Sequence, residues 1–276
     1  MKLNSVFFIT GGGNGIGARL AELVIDHGHR VVVADIDETA ATERCRALGR
    51  RALPVLLDVR SVKGWASALD QAWARFGAVD TLVNNAGLLH TGWVRDQTPE
   101  QIEHMIAVNL LGLINGVSAV VPRFNAQKHG HVINVASLAA FVPLKGQTVY
   151  SATKHAVRAF HHGVALEHED DPIDFTLICP GAVETGMLRK QIGQDSNAVA
   201  FSDPALSPEQ VARAIYSAAR TRRAEVVLPR LQGSAARLIG VLPRMLRAAT
   251  RRAEKKGLEV LARRRRADTK NNGDSI

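Results

Sequence analysis

Near its start the chain reads Val6-Phe-Phe-Ile-Thr10-Gly-Gly-Gly-Asn-Gly15-Ile-Gly17. The apolar run 6–9 predicts a short buried strand, and Leu20, Leu23 and Val24 on one face of residues 18–27 predict a helix. Glycines between them let a backbone approach a pyrophosphate, and the free N–H groups at the helix start point at the anion. This order of elements favours a dinucleotide-binding site over a plain connecting loop.

Further apolar runs alternate with helical patterns along the rest of the chain. They predict strands at 30–35, 52–59, 79–84, 131–136, 173–179 and 225–229, and helices at 38–48, 59–76, 98–124, 150–170 and 207–221. This alternation predicts an α/β fold, a doubly wound sheet of about seven parallel strands flanked by helices, with ligands at the strand carboxyl ends. Residues 1–229 form the predicted catalytic domain, and 230–276 form a basic helical extension.

Two acidic residues close predicted strands in this first half. Asp35 comes about 20 residues after the glycine turn, where a carboxylate can accept hydrogen bonds from an adenosine ribose. Ile36 rather than an arginine follows it, and Asp37 adds negative charge, so NAD is preferred over NADP; an ordinary helix cap is the alternative. Asp58 could accept from the adenine amino group or cap the helix predicted over 59–76.

A tyrosine and a lysine lie four residues apart in the helical pattern after the fifth strand. At this spacing Tyr150 and Lys154 share one helix face. A phenol has a pKa of about 10, and a nearby ammonium group favours the phenolate. Ser137 follows the run 131–136, so its hydroxyl can reach the same place. Alone, the pair is equally consistent with a surface helix; together, these groups suit proton exchange with a carbonyl or carbinol oxygen.

Composition indicates a globular protein with an uneven charge distribution. Hydrophobic residues make up 46% of the 276 residues, and the two cysteines, Cys45 and Cys179, are well separated, which fits a reducing compartment. The N-terminal apolar run is too short for a signal peptide, and no run approaches about 18 apolar residues, so we expect a cytoplasmic protein. Residues 230–276 hold 13 Lys/Arg and 4 Asp/Glu, whereas residues 1–229 hold 22 of each.

With these motifs in order, the sequence resembles the short-chain dehydrogenase/reductase family over about residues 4–229. The motifs are Thr10-Gly11-x-x-x-Gly15-Ile16-Gly17, Asp58, Asn84-Asn85-Ala86-Gly87, Asn109, Ser137, Tyr150-x-x-x-Lys154 and Pro180-Gly181-x-Val183-x-Thr185. The resemblance implies a Rossmann fold that binds a nicotinamide dinucleotide, and a homodimer or homotetramer.

It also implies residue roles. Tyr150 would be the general acid/base, Ser137 would hold the substrate oxygen, and Lys154 would bind the nicotinamide ribose and lower the tyrosine pKa. Asn109 would hold a water in a proton relay through Lys154. The implied cofactor-binding set is Thr10, Gly11, Asn14, Gly15, Ile16, Gly17, Asp35, Asp58, Val59, Asn85, Ala86, Gly87, Tyr150, Lys154, Pro180, Gly181, Val183 and Thr185. No metal-ligand set is predicted.

The segments expected to face the substrate are mainly apolar. Candidate contacts are Leu88, His90, Ala139, Phe141, Gln147, Met187 and Leu188. Because no arginine cluster lies among them, we expect a hydrophobic secondary alcohol or ketone, such as a steroid, a retinoid or a lipid-derived molecule. Residues 186–208 are irregular but rich in apolar side chains, which fits a lid over the site or a disordered surface loop.

The basic tail leaves three interpretations open. Leu238, Val241, Leu242, Met245 and Leu246 recur at helical spacing between arginines. Such a helix can pack on the domain or on another subunit, or lie on an anionic membrane surface; contact with nucleic acid is disfavoured. Residues 270–276 are expected to be disordered. The main hypothesis is an NAD-dependent oxidoreductase, and the alternative is an NAD-sensing interaction protein that uses the tail to bind a membrane or a macromolecular partner.

Overall fold

A seven-stranded, fully parallel sheet forms the centre of the protein, in a computed structural model that describes residues 2–273. The strands are β1 (Val6–Thr10), β2 (Arg30–Asp35), β3 (Ala52–Leu56), β4 (Thr81–Asn84), β5 (Gly130–Val135), β6 (Ile173–Pro180) and β7 (Glu225–Leu228). Their spatial order is β3-β2-β1-β4-β5-β6-β7. The order reverses between β1 and β4, which opens a crevice at the strand carboxyl ends. The predicted fold class is confirmed.

Helices cover both faces of the sheet. They are α1 (Gly15–Asp26), α2 (Glu38–Leu48), α3 (Val62–Phe76), α4 (Pro99–Ile106), α5 (Gly112–Gln127), α6 (Thr148–Glu167), α7 (Gly186–Arg189), α8 (Pro208–Thr221), α9 (Arg230–Val241) and α10 (Pro243–Gly273). Side chains of α3, α5 and α6 pack in one core with Phe8, and those of α1, α2 and α8 pack in another with Phe7 and Ile9. Successive strand residues point to opposite faces, so one apolar run serves both cores.

The N-termini of α2 and α3 correct two predictions about which residues cap these helices. The α2 helix is capped by Asp37, whose carboxylate accepts from the Ala40 N–H at 3.0 Å, and not by Asp35. The predicted helix start at 59 is wrong as well. The α3 helix begins at Val62, after Ser61, whose hydroxyl accepts from the Gly64 N–H at 2.9 Å. Asp58 therefore lies free of both helix and strand, three residues before the capping serine.

The helical region predicted over 98–124 is interrupted by a π-helical turn at Ala107–Leu111 between α4 and α5. By length and composition, the helix Pro99–Gln127 could cross a membrane, so the expectation that no run approaches this requirement is wrong. Its face with Val117, Val120 and Phe124 is nevertheless buried in the core. Such burial is expected for a core helix of a Rossmann sheet.

The last two helices pack over the segment between β6 and α8. Leu261 of α10 is buried in a cluster with Leu188, Ala198 and Phe201. Gly257 lies so close that a Cβ there would be 1.8 Å from the Ala198 carbonyl oxygen. The segment 186–208 is therefore ordered, with α7 and a 3₁₀ turn at Asp195–Phe201, and the disordered-loop alternative is wrong.

Disorder is expected for residues 270–276, but the structure shows helix as far as residue 273. Residues 270–273 belong to α10, and 274–276 lie outside the described residues. The division of the chain at residue 229 stays a prediction.

Candidate active site

A cavity of about 840 Å³ lies at the carboxyl ends of the strands, above the crevice between β1 and β4. Most of the predicted cofactor residues line it: Gly11, Asn14, Gly15, Ile16, Asp35, Asp58, Val59, Asn85, Ala86, Gly87, Tyr150, Lys154, Pro180, Gly181, Val183 and Thr185. Thr10 and Gly17 are the two predicted members that do not. Segments from six strand ends thus meet in one space.

The glycine turn fits a bound pyrophosphate. Gly11 and Gly15 have φ of 61° and 55°, which favours glycine. A Cβ at Gly17 would lie 2.1 Å from the Gly11 carbonyl oxygen, so the turn can close onto the helix only with glycine there. The N-cap residue Asn14 makes no side-chain cap, and no acidic residue occurs in the first turn of α1. The first backbone N–H groups of α1 are therefore available to an anion.

Thr10 contributes from behind the cavity wall. Its hydroxyl oxygen accepts from the backbone N–H groups of Asn85 and Ala86, each at 3.0 Å. The Asn85 side chain in turn donates to the carbonyl oxygens of Thr10 and Gly11, at 3.0 and 3.2 Å. These four bonds tie the turn after β1 to the turn after β4, and they fix the spacing of the crevice.

The two acidic residues differ in what they can offer a ligand. One Asp35 carboxylate oxygen accepts from the Gly13 N–H at 2.9 Å and the other from the Asp37 N–H at 3.1 Å, so the group is held in place at the cavity wall. Ile36 beside it is 62% exposed. The Asp58 carboxylate binds the Arg60 guanidinium, with contacts of 2.6 to 3.0 Å, and this pair lowers the pKa of Asp58.

Ser137, Tyr150 and Lys154 meet at the cavity floor. The Tyr150 hydroxyl faces the Ser137 side chain, which acts to lower the pKa of the phenol. The Lys154 ammonium lies 5.7 Å from the centre of the Tyr150 ring and donates to the Val135 carbonyl oxygen at 3.0 Å. The Ser137 oxygen also accepts from the Ala139 N–H at 3.1 Å, which fixes the hydroxyl at the end of β5.

Burial decides the protonation of this group, contrary to the expectation that Lys154 lowers the tyrosine pKa. Burial raises the pKa of Tyr150 to about 12, against the opposing effect of the Ser137 hydrogen bond. Burial also lowers the pKa of Lys154 to about 8. Desolvation disfavours whichever form is charged, so both shifts favour the neutral side chains in the cofactor-free protein.

Asn109 occupies the π-helical turn and is buried. Its side-chain oxygen accepts from the Leu88 N–H at 2.8 Å, and its amide donates to the Leu88 carbonyl oxygen at 2.9 Å. A Cβ on Gly87 would lie 3.2 Å from the Asn109 oxygen and 3.8 Å from the Lys154 nitrogen. Glycine at 87 therefore leaves a small polar gap between these two side chains. The extra residue of a π turn re-aims the side chain that the turn carries, and such turns are frequent at functional sites.

The predicted substrate residues divide into two groups. Leu88, Gln147, Met187 and Leu188 line the cavity. The predicted contacts His90, Ala139 and Phe141 do not line it, and their role stays a prediction. His90 faces His104, with 3.4 Å between the ring nitrogens. Ala139 is fully buried in the turn after Ser137.

The third of these residues, Phe141, packs in the core with two guanidinium groups over its ring. The Arg158 group lies 4.6 Å and the Arg237 group 5.4 Å from the ring centre. Phe141 is 8% exposed, so little of its ring is open to a ligand.

A further wall of the cavity comes from the last two helices, whose residues are absent from the predicted site. One face of α9 and α10 lines the cavity: Gln232, Ala235, Ala236, Ile239, Leu246, Ala249, Thr250 and Ala253. These positions recur at three- and four-residue spacing, the signal by which they could have been found. Of the five apolar residues that recur at helical spacing in the predicted tail helix, Leu246 alone lines the cavity.

The cavity has two chemically distinct halves. The glycine turn, Asp35 and Asp58 supply polar groups, whereas α7, the 3₁₀ turn, α9 and α10 supply mainly apolar ones. In the part of the chain that the structure describes, no arginine lines the cavity, and Lys190 and Asp203 are the charged residues of the second half. Among the described residues no group of three or more His, Cys, Asp or Glu is placed to hold a metal. The arrangement can hold an extended dinucleotide beside an apolar molecule, with a phenol hydroxyl between them.

Comparison with known proteins agrees with this geometry. The pattern of the family described as short chain dehydrogenase matches residues 5–196. The 2,5-dichloro-2,5-cyclohexadiene-1,4-diol dehydrogenase LinX of Sphingobium indicum is 36% identical over 183 residues, which are 65% of this chain and 73% of LinX. SadH of Mycobacterium tuberculosis is 31% identical over 259 residues, which are 90% of this chain and 92% of SadH.

Two solved structures share the fold. A short chain dehydrogenase/reductase from Burkholderia phymatum in complex with NAD has a TM-score of 0.81 at 25% identity, over 88% of this chain and 95% of that one. The 3-ketoacyl-(acyl-carrier-protein) reductase from Brucella melitensis, complexed with NADH, has a TM-score of 0.75 at 26% identity, over 82% and 97%. On its sequence, sheet order and cavity, the chain belongs to the short chain dehydrogenase family of oxidoreductases.

Proposed function

We propose that the protein interconverts a hydrophobic secondary alcohol and its ketone, with NAD(H) as cofactor and Tyr150 as general acid/base. One observation carries this proposal: a single cavity brings Ser137, Tyr150 and the Lys154 ammonium to the junction of a dinucleotide-shaped half and an apolar half. A proton donor is needed at this junction, because the oxygen of a carbonyl gains a proton as its carbon is reduced.

NAD is the preferred cofactor in this proposal. Asp35 stands where the adenosine ribose would lie, and its carboxylate would repel an added phosphate, while Ile36 offers no positive charge to hold one. The relatives crystallised with NAD and with NADH support this choice. Asp58 and Val59 would hold the adenine, and Val183 and Thr185 the carboxamide.

A bound nicotinamide supplies or accepts the hydride. Tyr150 would donate its proton to the ketone oxygen during reduction, and its raised pKa keeps the phenol protonated at neutral pH. In the direction of oxidation, the phenol must accept the carbinol proton as phenolate. Ser137 can stabilise that phenolate as a hydrogen-bond donor, and Lys154 as a nearby cation.

Asn109 and Lys154 would complete a path for the proton to solvent. A Cβ at Gly87 would lie 3.8 Å from the Lys154 nitrogen and 3.2 Å from the Asn109 oxygen, so the gap that this glycine leaves adjoins both groups. A water there would have an acceptor and a donor at hand. The Leu88 backbone holds the Asn109 amide in place for this role.

The substrate class follows from the second half of the cavity. Its walls carry Leu138, Val142, Met187, Ile239 and Leu246, and Lys190 is the basic residue beside them, so most of the surface that a substrate would meet is apolar. A steroid, a retinoid or a lipid-derived alcohol fits this lining. The relative LinX, named for a chlorinated cyclohexadiene diol, supports an apolar alcohol.

The proposed assembly is a homodimer or homotetramer in the cytoplasm. Ile106 and Leu111 are 39% and 50% exposed on the outer side of the helix that carries the π turn. Apolar side chains of this size are commonly covered in an oligomer. Light scattering would give the mass directly.

The test is Tyr150→Phe, with Tyr216→Phe as a matched control, since these are the two tyrosines of the chain. Tyr216 bonds His29 far from the cavity. With an apolar alcohol panel and NAD, we expect Tyr150→Phe to lower turnover by at least about 100-fold while NADH binding stays unchanged. Normal turnover in Tyr150→Phe would overturn the mechanism.

The NAD-sensing alternative predicts a different pair of results. It requires no turnover on any alcohol and NADH-dependent binding of a partner through residues 230–276. Wild-type turnover on one member of the panel excludes it as the sole function.

A further inference from the structure

The corner between α9 and α10 exposes an apolar cluster to solvent. Leu238, Val241, Leu242 and Met245 are 54%, 73%, 43% and 46% exposed. They lie within eight residues of sequence, where one helix ends and the next begins. Burying four such side chains is favourable, so a cluster of this kind indicates a surface that meets an apolar phase or partner.

The charge around this corner has one sign. Between Glu225 and Glu254 the sequence has six arginines and no acidic residue. Arg237 pairs with Glu225, but no ion pair involves Arg244, Arg247, Arg251 or Arg252 in the part of the chain that the structure describes. All four are exposed.

Three basic side chains farther along α10 form ion pairs with the rest of the protein. Lys256 pairs with Asp203 at 3.0 Å, Arg264 with Glu184 at 3.0 Å, and Arg265 with Asp195 at 2.8 Å. These pairs fasten α10 to the segment over the cavity. The exposed arginines Arg244, Arg247, Arg251 and Arg252 lie in the first part of α10, next to the apolar cluster.

The corner also adjoins the substrate half of the cavity. Ile239 and Leu246 line the cavity, and their sequence neighbours Leu238 and Met245 are exposed. The same two helices thus present one face to the cavity and another to solvent. Met187, which also lines the cavity, is 38% exposed.

Of the occupants that could cover this corner, the charge distribution favours an anionic lipid surface. A two-fold contact with a second copy would set the arginines against themselves, which is repulsive. Nucleic acid would leave the four apolar side chains uncovered. At a bilayer, apolar side chains enter the boundary of the acyl region while arginines meet anionic headgroups.

We propose that the α9–α10 corner docks the protein on an anionic membrane surface, so that an apolar substrate passes between the bilayer and the cavity. This proposal rests on the proposed function for its substrate. The docking itself is measured without turnover, so its failure and that of the proposed function are distinguishable.

The experiment is co-sedimentation of the full chain with phosphatidylcholine vesicles that contain either no phosphatidylserine or about 30% of it. Two variants test the two parts of the surface: Arg244→Gln with Arg247→Gln, and Val241→Ser with Met245→Ser. The control is Arg46→Gln with Arg220→Gln, which makes the same charge change at exposed positions of α2 and α8. Thermal unfolding and NADH titration show that each variant is folded.

We expect wild type and control to bind only the vesicles with phosphatidylserine, and more weakly in high salt. Each corner variant should lose at least about tenfold in vesicle affinity. An equal loss in the control, or no binding of wild type at low salt, overturns the proposal. So does a change of the Val241→Ser, Met245→Ser variant from oligomer to monomer with vesicle binding intact, because the corner would then be a subunit interface.

Discussion

Replacing Lys154 by methionine should stabilise the cofactor-free protein at neutral pH while it removes activity. Burial lowers the pKa of Lys154 from 10.5 to about 8. At about 1.4 kcal/mol per pKa unit, holding the ammonium in the folded protein costs about 3 kcal/mol at pH 7. Methionine keeps most of the apolar stem but loses the hydrogen bond to the Val135 carbonyl oxygen, worth about 1 kcal/mol. The net gain should be about 2 kcal/mol.

The pH dependence of this gain follows from the sign of the shift. Between about pH 8 and 10.5 the unfolded chain binds the Lys154 proton more tightly than the folded chain, so wild-type stability rises with pH in this window. The cost of the ammonium is complete below about pH 8 and disappears above 10.5. The advantage of Lys154→Met should therefore shrink by about 2 kcal/mol between pH 7 and 9.5.

Urea unfolding of wild type, Lys154→Met and Lys63→Met at these two pH values measures the difference. Lys63 is exposed at the start of α3, so its replacement should change little at either pH. The reasoning is refuted if Lys154→Met is less stable than wild type at pH 7, or if its advantage is the same at both pH values.

Three further predictions concern the cofactor, the cavity and acid stability. Asp35→Ala should lose the preference of wild type for NADH over NADPH in fluorescence titrations, and wild type binding both equally would contradict it. Ala249→Trp, which fills the apolar half, should abolish turnover of bulky alcohols but leave NADH affinity unchanged; equal loss of both would contradict the division of the cavity. Burial lowers the pKa of His161 to about 4, so the unfolded chain takes up its proton first and stability should fall from about pH 6.5 to 4. The denaturant midpoints at pH 7 and pH 5 should differ less in His161→Gln than in wild type. An equal difference in the two proteins would show that His161 does not cause the loss of stability in acid.

The sheet was predictable because each apolar run is short and is followed by a helical pattern of different period. That the candidate cofactor residues would line one cavity was predictable for a related reason. Gly11 and Asn85 directly follow strands and Asp35 ends one, and parallel strands end at one edge of the sheet. Topology converts their positions in sequence into nearness in space.

Some features of the site could not be predicted from the sequence, because they depend on burial or on contacts between residues that are far apart in the chain. Asp58 and Ser61 are both good capping residues, and only the backbone path and the bond from Arg60 assign the cap to Ser61. Burial of Tyr150 outweighs any effect of its lysine neighbour, and burial has no local signature. In the tail helices both faces carry apolar residues, so periodicity alone did not tell the cavity face from the exposed one.

The two halves of the cavity come from different parts of the chain. The strand ends that would hold the proposed cofactor belong to residues 10–185, whereas the wall of the apolar half is completed by Ala235, Ala249 and other small side chains of the last two helices. Alanines leave space that larger residues would fill. A redesign of substrate range can therefore be confined to residues 232–253, where saturation mutagenesis would reshape one compartment and leave the dinucleotide compartment as it is.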